Sequence, residues 1–252
     1  MIAPTPPPAH GLLRDKGVLI TAAAGSGIGS ATARRCLDEG ARVVIADKHE
    51  RRLQATAAEL GVTGIVCDIT NEASVQSMIA TASAALGGID ILVNNAGLGG
   101  TAEVHEMTDE QWSIVLDVTL TGTFRVTRAA LNHMYSRGSG VIVNNASVLG
   151  WRAQAGQAHY AAAKAGVMAL TRCSAIEAAA RGVRVNAVAP SIAMHANLAR
   201  VTSDEVLAEL TSREAFGRAA EPWEIANVII FLASDYSSYM TGEVVSVSSQ
   251  RA

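Results

Sequence analysis

Short runs of β-branched residues alternate regularly with longer helical patterns along the whole chain. The runs centre on positions 18–20, 43–45, 65–66, 91–93, 141–143, 183–188 and 244–245. The helical patterns cover roughly 28–39, 50–60, 72–86, 109–135, 157–180, 203–213 and 221–233. Apolar strands that alternate with helices form a parallel sheet covered on both faces, and right-handed crossovers make that sheet doubly wound. The pattern therefore predicts a three-layer α/β/α fold.

Composition favours one large domain over two small ones. Of the 252 residues, 49% are hydrophobic and 17% are charged, and no stretch has the composition of an interdomain linker. We expect a single Rossmann-type domain over 12–252, preceded by a proline-rich arm over 1–11 that is disordered or lies on the surface. The net charge of −3 lacks a basic cluster, and no apolar run is long enough to span a membrane. The expected partners are small molecules and further copies of the chain, not nucleic acid or a membrane.

The cysteines and the N-terminal residues indicate the compartment, and the histidines bear on metal binding. Cys36, Cys67 and Cys173 are odd in number and lie within predicted helices or strands, which is typical of reduced, packed thiols. The first ten residues lack the basic-then-apolar order of a signal peptide. We therefore expect a cytoplasmic protein. The six histidines show no metal-ligand spacing, so no metal is expected.

A glycine-rich turn joins the first predicted strand to the first predicted helix. Its sequence over 21–29 is Thr-Ala-Ala-Ala-Gly-Ser-Gly-Ile-Gly. Glycines let the backbone approach a phosphate closely, and a helix start supplies free N–H groups. The alternative is that these glycines only end the strand and pack the helix. The predicted phosphate-binding residues are Thr21, Ala23, Gly25, Ser26, Gly27, Ile28 and Gly29.

A tyrosine and a lysine lie four residues apart in an alanine-rich helical pattern. Tyr160 and Lys164 therefore project from one helix face, about one turn apart. A cation beside a phenol favours the phenolate and moves the phenol pKa down from its ordinary value near ~10. Ser147 can donate a second hydrogen bond to the same substrate oxygen. Taken alone, such a pair is more often a half-buried aromatic beside a surface charge, so the rest of the chain must decide.

The spacing of Ser147, Tyr160 and Lys164 resembles the active site of the short-chain dehydrogenase/reductase family. The tetrapeptide Asn-Asn-Ala-Gly over 94–97 matches the same family, and the likeness extends over about 12–250. This resemblance implies hydride transfer between C4 of a nicotinamide and a carbinol carbon. It also implies that Tyr160 transfers the proton, that Lys164 lowers the Tyr160 pKa and holds the nicotinamide ribose, and that Ser147 orients the oxygen.

The chain departs from the family pattern in four places. Ala22 or Ala23 stands where the first glycine of the loop belongs, and Ser191 follows Pro190 where a glycine is usual. The ending over 248–250 is Ser-Ser-Gln in place of Asp-Gly-Gly. Thr119 occupies the position of an asparagine that helps a water relay protons from the lysine. We expect Thr119 to substitute for it through its hydroxyl.

The expected cofactor is NAD, with NADP as the second option. Asp47 ends the second predicted strand, where a carboxylate accepts hydrogen bonds from the adenine ribose and repels a 2′-phosphate. Lys48 argues the other way, and Asp47 can also cap the next helix. The resemblance implies further cofactor contacts at Asp68, Ile69, Asn95, Ala96, Gly97, Tyr160, Lys164, Pro190 and Ile192.

A lid over about 194–215 is expected to cover an apolar substrate. The candidate substrate residues are Leu98, Leu149, Trp151, Gln154, Gln157, Met194 and Leu198. They suit a lipid-like, steroid-derived or acyl-thioester alcohol, although each can equally pack the core. The pattern is most similar to bacterial 3-oxoacyl-thioester reductases and hydroxysteroid dehydrogenases. It also resembles actinobacterial enzymes acting on coenzyme A thioesters of steroid-ring fragments. A non-catalytic, cofactor-binding regulator or scaffold is the alternative of another class.

The two long predicted helices, 109–135 and 157–180, suggest assembly. Relatives pair these helices across a two-fold axis, and small residues such as Ala165, Ala169 and Ser174 permit close approach. The last strand offers a second contact, so we expect a homotetramer. The alternative is that the small residues only let the helix lie close to its own sheet.

Overall fold

Seven parallel strands form the centre of the molecule, and the computed structural model describes residues 3–194 and 204–250. The strands are β1 Gly17–Thr21, β2 Arg42–Asp47, β3 Thr63–Val66, β4 Ile91–Asn94, β5 Gly140–Asn145, β6 Val183–Pro190 and β7 Val244–Val247. The α-helices are α1 Ile28–Asp38, α2 Glu50–Leu60, α3 Glu72–Leu86, α4 Asp109–Leu116, α5 Gly122–Arg137, α6 Ala158–Ala179, α7 Asp204–Ser212 and α8 Pro222–Ala233. The sheet order β3-β2-β1-β4-β5-β6-β7 confirms the predicted doubly wound α/β fold.

Two apolar layers hold the helices on opposite faces of the sheet. Because side chains alternate along a strand, Leu19 of β1 packs in one layer while Ile20 packs in the other. The first layer includes Met134 of α5, and the second includes Leu53 of α2 and Ile229 of α8. Within the described residues, no helix combines the length and apolarity needed to cross a membrane.

The helix predicted as one element over 109–135 is interrupted. A π-helical segment, Asp117–Thr121, separates α4 from α5. Thr123 Oγ1 donates to the carbonyl oxygen of Thr119 at 2.7 Å, so a side chain competes for a backbone acceptor within the widened turn. Hydrophobic periodicity does not register one extra residue in a turn, which explains the error in the prediction. π-Helical turns are frequent at functional sites.

A chain of buried polar side chains joins the two central strands. Asn94 of β4 donates from Nδ2 to Asn144 Oδ1 of β5 at 2.9 Å and to Thr127 Oγ1 of α5 at 3.0 Å. Asn144 in turn donates to Thr171 Oγ1 of α6 at 2.9 Å. Asn94 and Asn144 are direct partners in the strand register. These bonds attach α5 and α6 to the sheet beside the functional edge.

The proline-rich arm contacts the surface of α1. Arg35 donates to the carbonyl oxygen of Pro7 at 3.4 Å. Glu39 Oε2 accepts hydrogen bonds from the backbone N–H groups of His10 and Leu12, each at 2.9 Å. The Glu39 carboxylate is almost fully buried and forms an ion pair with Arg35 at 3.0 Å. Arg35 of α1 and Glu39, which directly follows the helix, therefore hold the end of the arm in place.

Candidate active site

A cleft of about 960 Å³ opens at the carboxyl ends of β1, β2, β4 and β5. Ligands of open parallel α/β sheets bind at this edge, where the strand order reverses on either side of β1 and β4. The predicted residues that line this cleft are Thr21, Gly25, Ser26, Gly27, Ile28, Gly29, Asp47, Lys48, Asp68, Ile69, Asn95, Ala96, Gly97, Leu98, Tyr160 and Lys164. One cleft thus collects most of the predicted phosphate and ribose contacts together with Tyr160 and Lys164, whereas Ser147 and Thr119 are not among its lining residues.

Three predicted cofactor residues do not line the cleft. Ala23 is fully buried under the loop, because its side chain packs into the core and its N–H donates to Ala46 O at 3.2 Å. Pro190 is buried as the last residue of β6. Ile192 lies beyond it, and its carbonyl accepts the N–H of Ala220 at 2.9 Å.

The glycine-rich loop combines strain with close packing. Ala22 has φ 50°, so this alanine occupies the left-handed region that the first glycine of such a loop tolerates. Gly25 has φ 92°, which also favours glycine. A Cβ added at Gly29 would lie 2.5 Å from Ala22 O and 2.6 Å from Asn95 Nδ2. Gly29 must therefore stay a glycine for α1 to approach the end of β4.

The loop fits the pyrophosphate of a dinucleotide. A Cβ added at Gly27 would meet no atom within 4 Å, so the space above this residue is open. Gly27 also precedes α1, which begins without a side-chain cap, and the first N–H groups of the helix face that space. Thr56 Oγ1 accepts the Gly25 N–H at 2.9 Å and fixes the loop from α2.

Asp47 closes the other end of the cleft. Its Oδ1 accepts the His49 N–H at 2.9 Å, and its Oδ2 accepts the Ala24 N–H at 3.3 Å. The carboxylate therefore orders the glycine loop as well as the turn before α2. Lys48, His49 and Arg52 line the same part of the cleft, so the carboxylate has basic neighbours. Only Lys48 among these three was recognised in the sequence.

Lys164 is buried at the reactive end of the cleft. Its Nζ donates to the carbonyl oxygen of Asn145 at 2.6 Å, and burial lowers its pKa to about 8. A Cβ added at Gly97 would lie 3.3 Å from this Nζ, so Gly97 leaves room for the ammonium. The second turn of α6 thus directs a cation into a poorly solvated place beside Tyr160.

Tyr160 has a different electrostatic setting from the one expected. Burial raises the pKa of Tyr160 to about 12, and a hydrogen bond with the Ser147 side chain only partly opposes this. The expected lowering by Lys164 is not found, because the Lys164 Nζ lies 5.5 Å from the ring centroid and donates to Asn145 instead. Ser147 Oγ also accepts the Leu149 N–H at 3.2 Å, which fixes the position of the serine side chain.

Thr119 is placed differently from the expected relay residue. It is fully buried, its Oγ1 accepts the Leu98 N–H at 2.9 Å, and it donates to Leu98 O at 3.0 Å. The hydroxyl hydrogen is committed to Leu98 and cannot also serve Lys164. Thr119 instead ties the π segment to the residue that follows Gly97, and so positions the wall of the cleft.

The predicted substrate residues are only partly brought together. Leu98 lines the cleft, whereas Trp151 is 50% exposed and Gln157 uses its amide to donate to Gly100 O at 2.7 Å. Gln157 therefore supports a neighbouring loop. Leu198 and part of the predicted lid lie outside the described residues. The candidates Leu149, Gln154 and Met194 do not line this cleft.

A cleft at the carboxyl edge of a doubly wound sheet is typical of nucleotide-binding enzymes, and comparison with known proteins identifies the family. A family model described as enoyl-(acyl carrier protein) reductase matches residues 22–249. A crystal structure of a short chain dehydrogenase from Mycobacterium smegmatis has a TM-score of 0.89 and 59% identity, covering 100% of this chain and 99% of that one. The chain belongs to the short-chain dehydrogenase/reductase family.

Two relatives act on coenzyme A thioesters, according to their names. The (5R,7aS)-5-hydroxy-7a-methyl-1-oxo-2,3,5,6,7,7a-hexahydro-1H-indene-carboxyl-CoA reductase of Mycobacterium tuberculosis is 63% identical, over 99% of this chain and 98% of its own length. The (2S)-[(R)-hydroxy(phenyl)methyl]succinyl-CoA dehydrogenase subunit BbsD of Thauera aromatica is 39% identical, over 95% and 98%. The protein is thus an enzyme of the class that oxidises CH–OH groups or reduces keto groups, and the regulator or scaffold alternative is set aside.

Proposed function

We propose that this enzyme interconverts a secondary alcohol and a ketone on a coenzyme A thioester of a steroid-ring fragment. The observation that carries this proposal is the 63% identity, over nearly the full length, to an enzyme named for such a substrate. Tyr160 and Lys164, which line the cleft, and Ser147, which is hydrogen-bonded to Tyr160, support it. The second candidate is a hydroxysteroid or another small secondary alcohol without coenzyme A, as the resemblance to hydroxysteroid dehydrogenases implies.

The residues of the site have distinct tasks in this reaction. When bound, the nicotinamide cofactor accepts or supplies the hydride. Tyr160 takes the proton from the substrate hydroxyl in oxidation and returns it to the carbonyl oxygen in reduction. Ser147 donates a hydrogen bond to that same oxygen. Lys164, whose Nζ lies 5.5 Å from the Tyr160 ring centroid, would hold the ribose beside the phenol.

A substrate panel tests the proposed function. Purified enzyme is given hydroxyindane-carboxyl-CoA, the matching free acid and a linear 3-hydroxyacyl-CoA, and formation of reduced nicotinamide is followed by absorbance. We expect the highest kcat/KM with the bicyclic thioester. Equal turnover of the free acid would favour the second candidate, and turnover of the linear thioester alone would contradict the steroid-ring proposal.

We also propose a preference for NAD over NADP. A 2′-phosphate beside Asp47 would meet a carboxylate whose oxygens already accept two backbone N–H groups. Lys48, His49 and Arg52 weaken this preference without reversing it. The ratio of kcat/KM for the two cofactors measures it, and Asp47→Ala is expected to narrow the ratio. An unchanged ratio in that variant would show that Asp47 does not discriminate.

The proposed assembly is a homotetramer in the cytoplasm. The outer sides of α4, α5 and α6 expose the apolar residues Trp112, Ile114, Phe124 and Ile176, and β7 lies at an edge of the sheet. These are the two surfaces expected for two-fold contacts. Of the small residues expected there, Ser174 is buried, and its Oγ donates to Leu170 O at 2.7 Å. Unpaired Cys36, Cys67 and Cys173 agree with a reducing compartment.

A further inference from the structure

Asn145, the last residue of β5, lines the cleft and has an unused acceptor. Its backbone carbonyl accepts the Lys164 Nζ at 2.6 Å, and its Nδ2 donates to Asn95 Oδ1 at 2.9 Å. Its Oδ1 is buried and accepts no hydrogen bond from any residue in the described part of the chain. Asn145 was not among the residues singled out in the sequence, because it belongs to none of the motifs.

The orientation of this amide follows from its neighbours. Asn95 Nδ2 donates to the carbonyl oxygen of Ala22 at 2.9 Å, so Asn95 must present its Oδ1 to Asn145. Asn145 must then donate from its Nδ2 to Asn95 Oδ1, which leaves the Asn145 Oδ1 facing away from Asn95. A buried acceptor without a donor is unfavourable, and a donor arriving with a ligand offsets that loss.

The position of Asn145 indicates which part of a ligand reaches it. Asp47 and the glycine loop lie at the adenosine and pyrophosphate end of the cleft, whereas Asn145 touches Lys164 and stands two residues before Ser147. The unpartnered Nδ1 of His159 and Oε1 of Glu214 belong to residues that do not line the cleft. Among the buried, unpartnered side-chain atoms of the described residues, Asn145 Oδ1 is the one whose residue lines the cleft.

We propose that Asn145 Oδ1 accepts a hydrogen bond from the reactive half of the bound dinucleotide, either from a hydroxyl of its ribose or from its carboxamide N–H. This inference rests on the proposed function. Asn145 thereby joins three groups through one residue: the ligand through Oδ1, the glycine loop through Asn95, and the catalytic lysine through its backbone carbonyl.

Calorimetric titration with ADP, ADP-ribose and NAD⁺ tests this role without turnover. Leu has nearly the shape of Asn but no acceptor, so Asn145→Leu is expected to bind NAD⁺ about tenfold more weakly and ADP unchanged. Weaker binding of ADP-ribose as well would assign the donor to the ribose, and unchanged ADP-ribose would assign it to the carboxamide. Asn145→Ser, which removes the amide with less change in polarity, repeats the test if the first variant folds poorly.

The matched control is Asn95→Ser, which removes the partner of the Asn145 Nδ2 but leaves the Oδ1 in place. It is expected to weaken all three ligands alike, because it acts through the glycine loop. The inference is overturned if Asn145→Leu binds NAD⁺ as the unaltered protein does, or if it loses ADP affinity by the same factor. If the unaltered protein binds neither NAD⁺ nor NADP⁺, the proposed function itself is wrong, and this inference fails with it.

Discussion

Lys164 and Tyr160 are buried where the charged form of each side chain is disfavoured by desolvation. Burial lowers the pKa of Lys164 to about 8 and raises that of Tyr160 to about 12. The motif spacing predicted that these two side chains would meet. It could not predict the balance between their charge interaction and desolvation, because that balance depends on how much water the loops around 97–99 and 145–149 exclude.

The proton-transfer role of Tyr160 gives the first prediction. Tyr160→Phe keeps the ring but removes the hydroxyl, so turnover should fall by about a thousandfold while NAD⁺ affinity stays nearly constant. Steady-state kinetics and calorimetry measure the two quantities. Tyr135→Phe, on α5 and against Arg181, is the matched control and should keep full activity. Substantial turnover by Tyr160→Phe would falsify the assignment.

The second prediction concerns the free energy of unfolding and its pH dependence. The folded pKa of Lys164 is near 8, below its ordinary value of 10.5, so the unfolded chain binds more protons between these values and stability rises with pH there. Lys164→Met should be inactive yet about 1–3 kcal/mol more stable at neutral pH. Tyr160 opposes the rise only above about pH 10.

Urea denaturation from about pH 7 to about pH 9.5 measures this difference. The difference in free energy of unfolding between Lys164→Met and the wild type should shrink as the pH rises, because the wild-type lysine then loses its proton. A difference that stays constant over this range would mean that the ammonium is not destabilised by burial.

At the scale of elements, the glycine-rich loop carries the third prediction. Ala22 has φ 50°, a conformation that costs an alanine about 1 kcal/mol relative to glycine. Ala22→Gly should therefore raise the free energy of unfolding by about 0.5–1 kcal/mol. Ala24→Gly is the control in the same loop, at a residue without positive φ, and should lower stability slightly. Thermal unfolding measures the change in Tm of both variants. Equal changes would contradict the claim that the backbone at Ala22 is strained.

The order and type of elements were predictable, whereas local irregularities were not. Alternation of β-branched and helical patterns predicted the parallel sheet, because it reflects burial on both faces. The π segment that places Thr119 against Leu98 does not alter the hydrophobic pattern, so it could not be predicted. Asn145, with its unpartnered acceptor, belongs to no sequence motif. Both arise from tertiary contacts between segments far apart in the chain, which periodicity within one segment does not report.

For the whole molecule, the fourth prediction is the oligomeric state. Light scattering at micromolar concentration should give a tetramer. Ile176 is 80% exposed on α6, and Ile176→Glu should convert the tetramer to dimers by placing a charge in one contact. Val104→Glu, at a residue that is 75% exposed outside these helices, should leave the assembly intact. An active monomer in the unaltered protein would contradict the proposed contacts.

The buried pair Asn94 and Asn144 has a consequence for how the chain finds its structure. Apolar strands such as β4 and β5 slide past one another with little penalty, because one valine or isoleucine replaces another. The paired amides remove that tolerance, since a shift by one residue would turn each amide toward the wrong layer and separate both from Thr127 and Thr171. The four polar side chains thus favour one register of β4 against β5. That register brings Asn95, Asn145 and Ser147 to the same edge of the sheet.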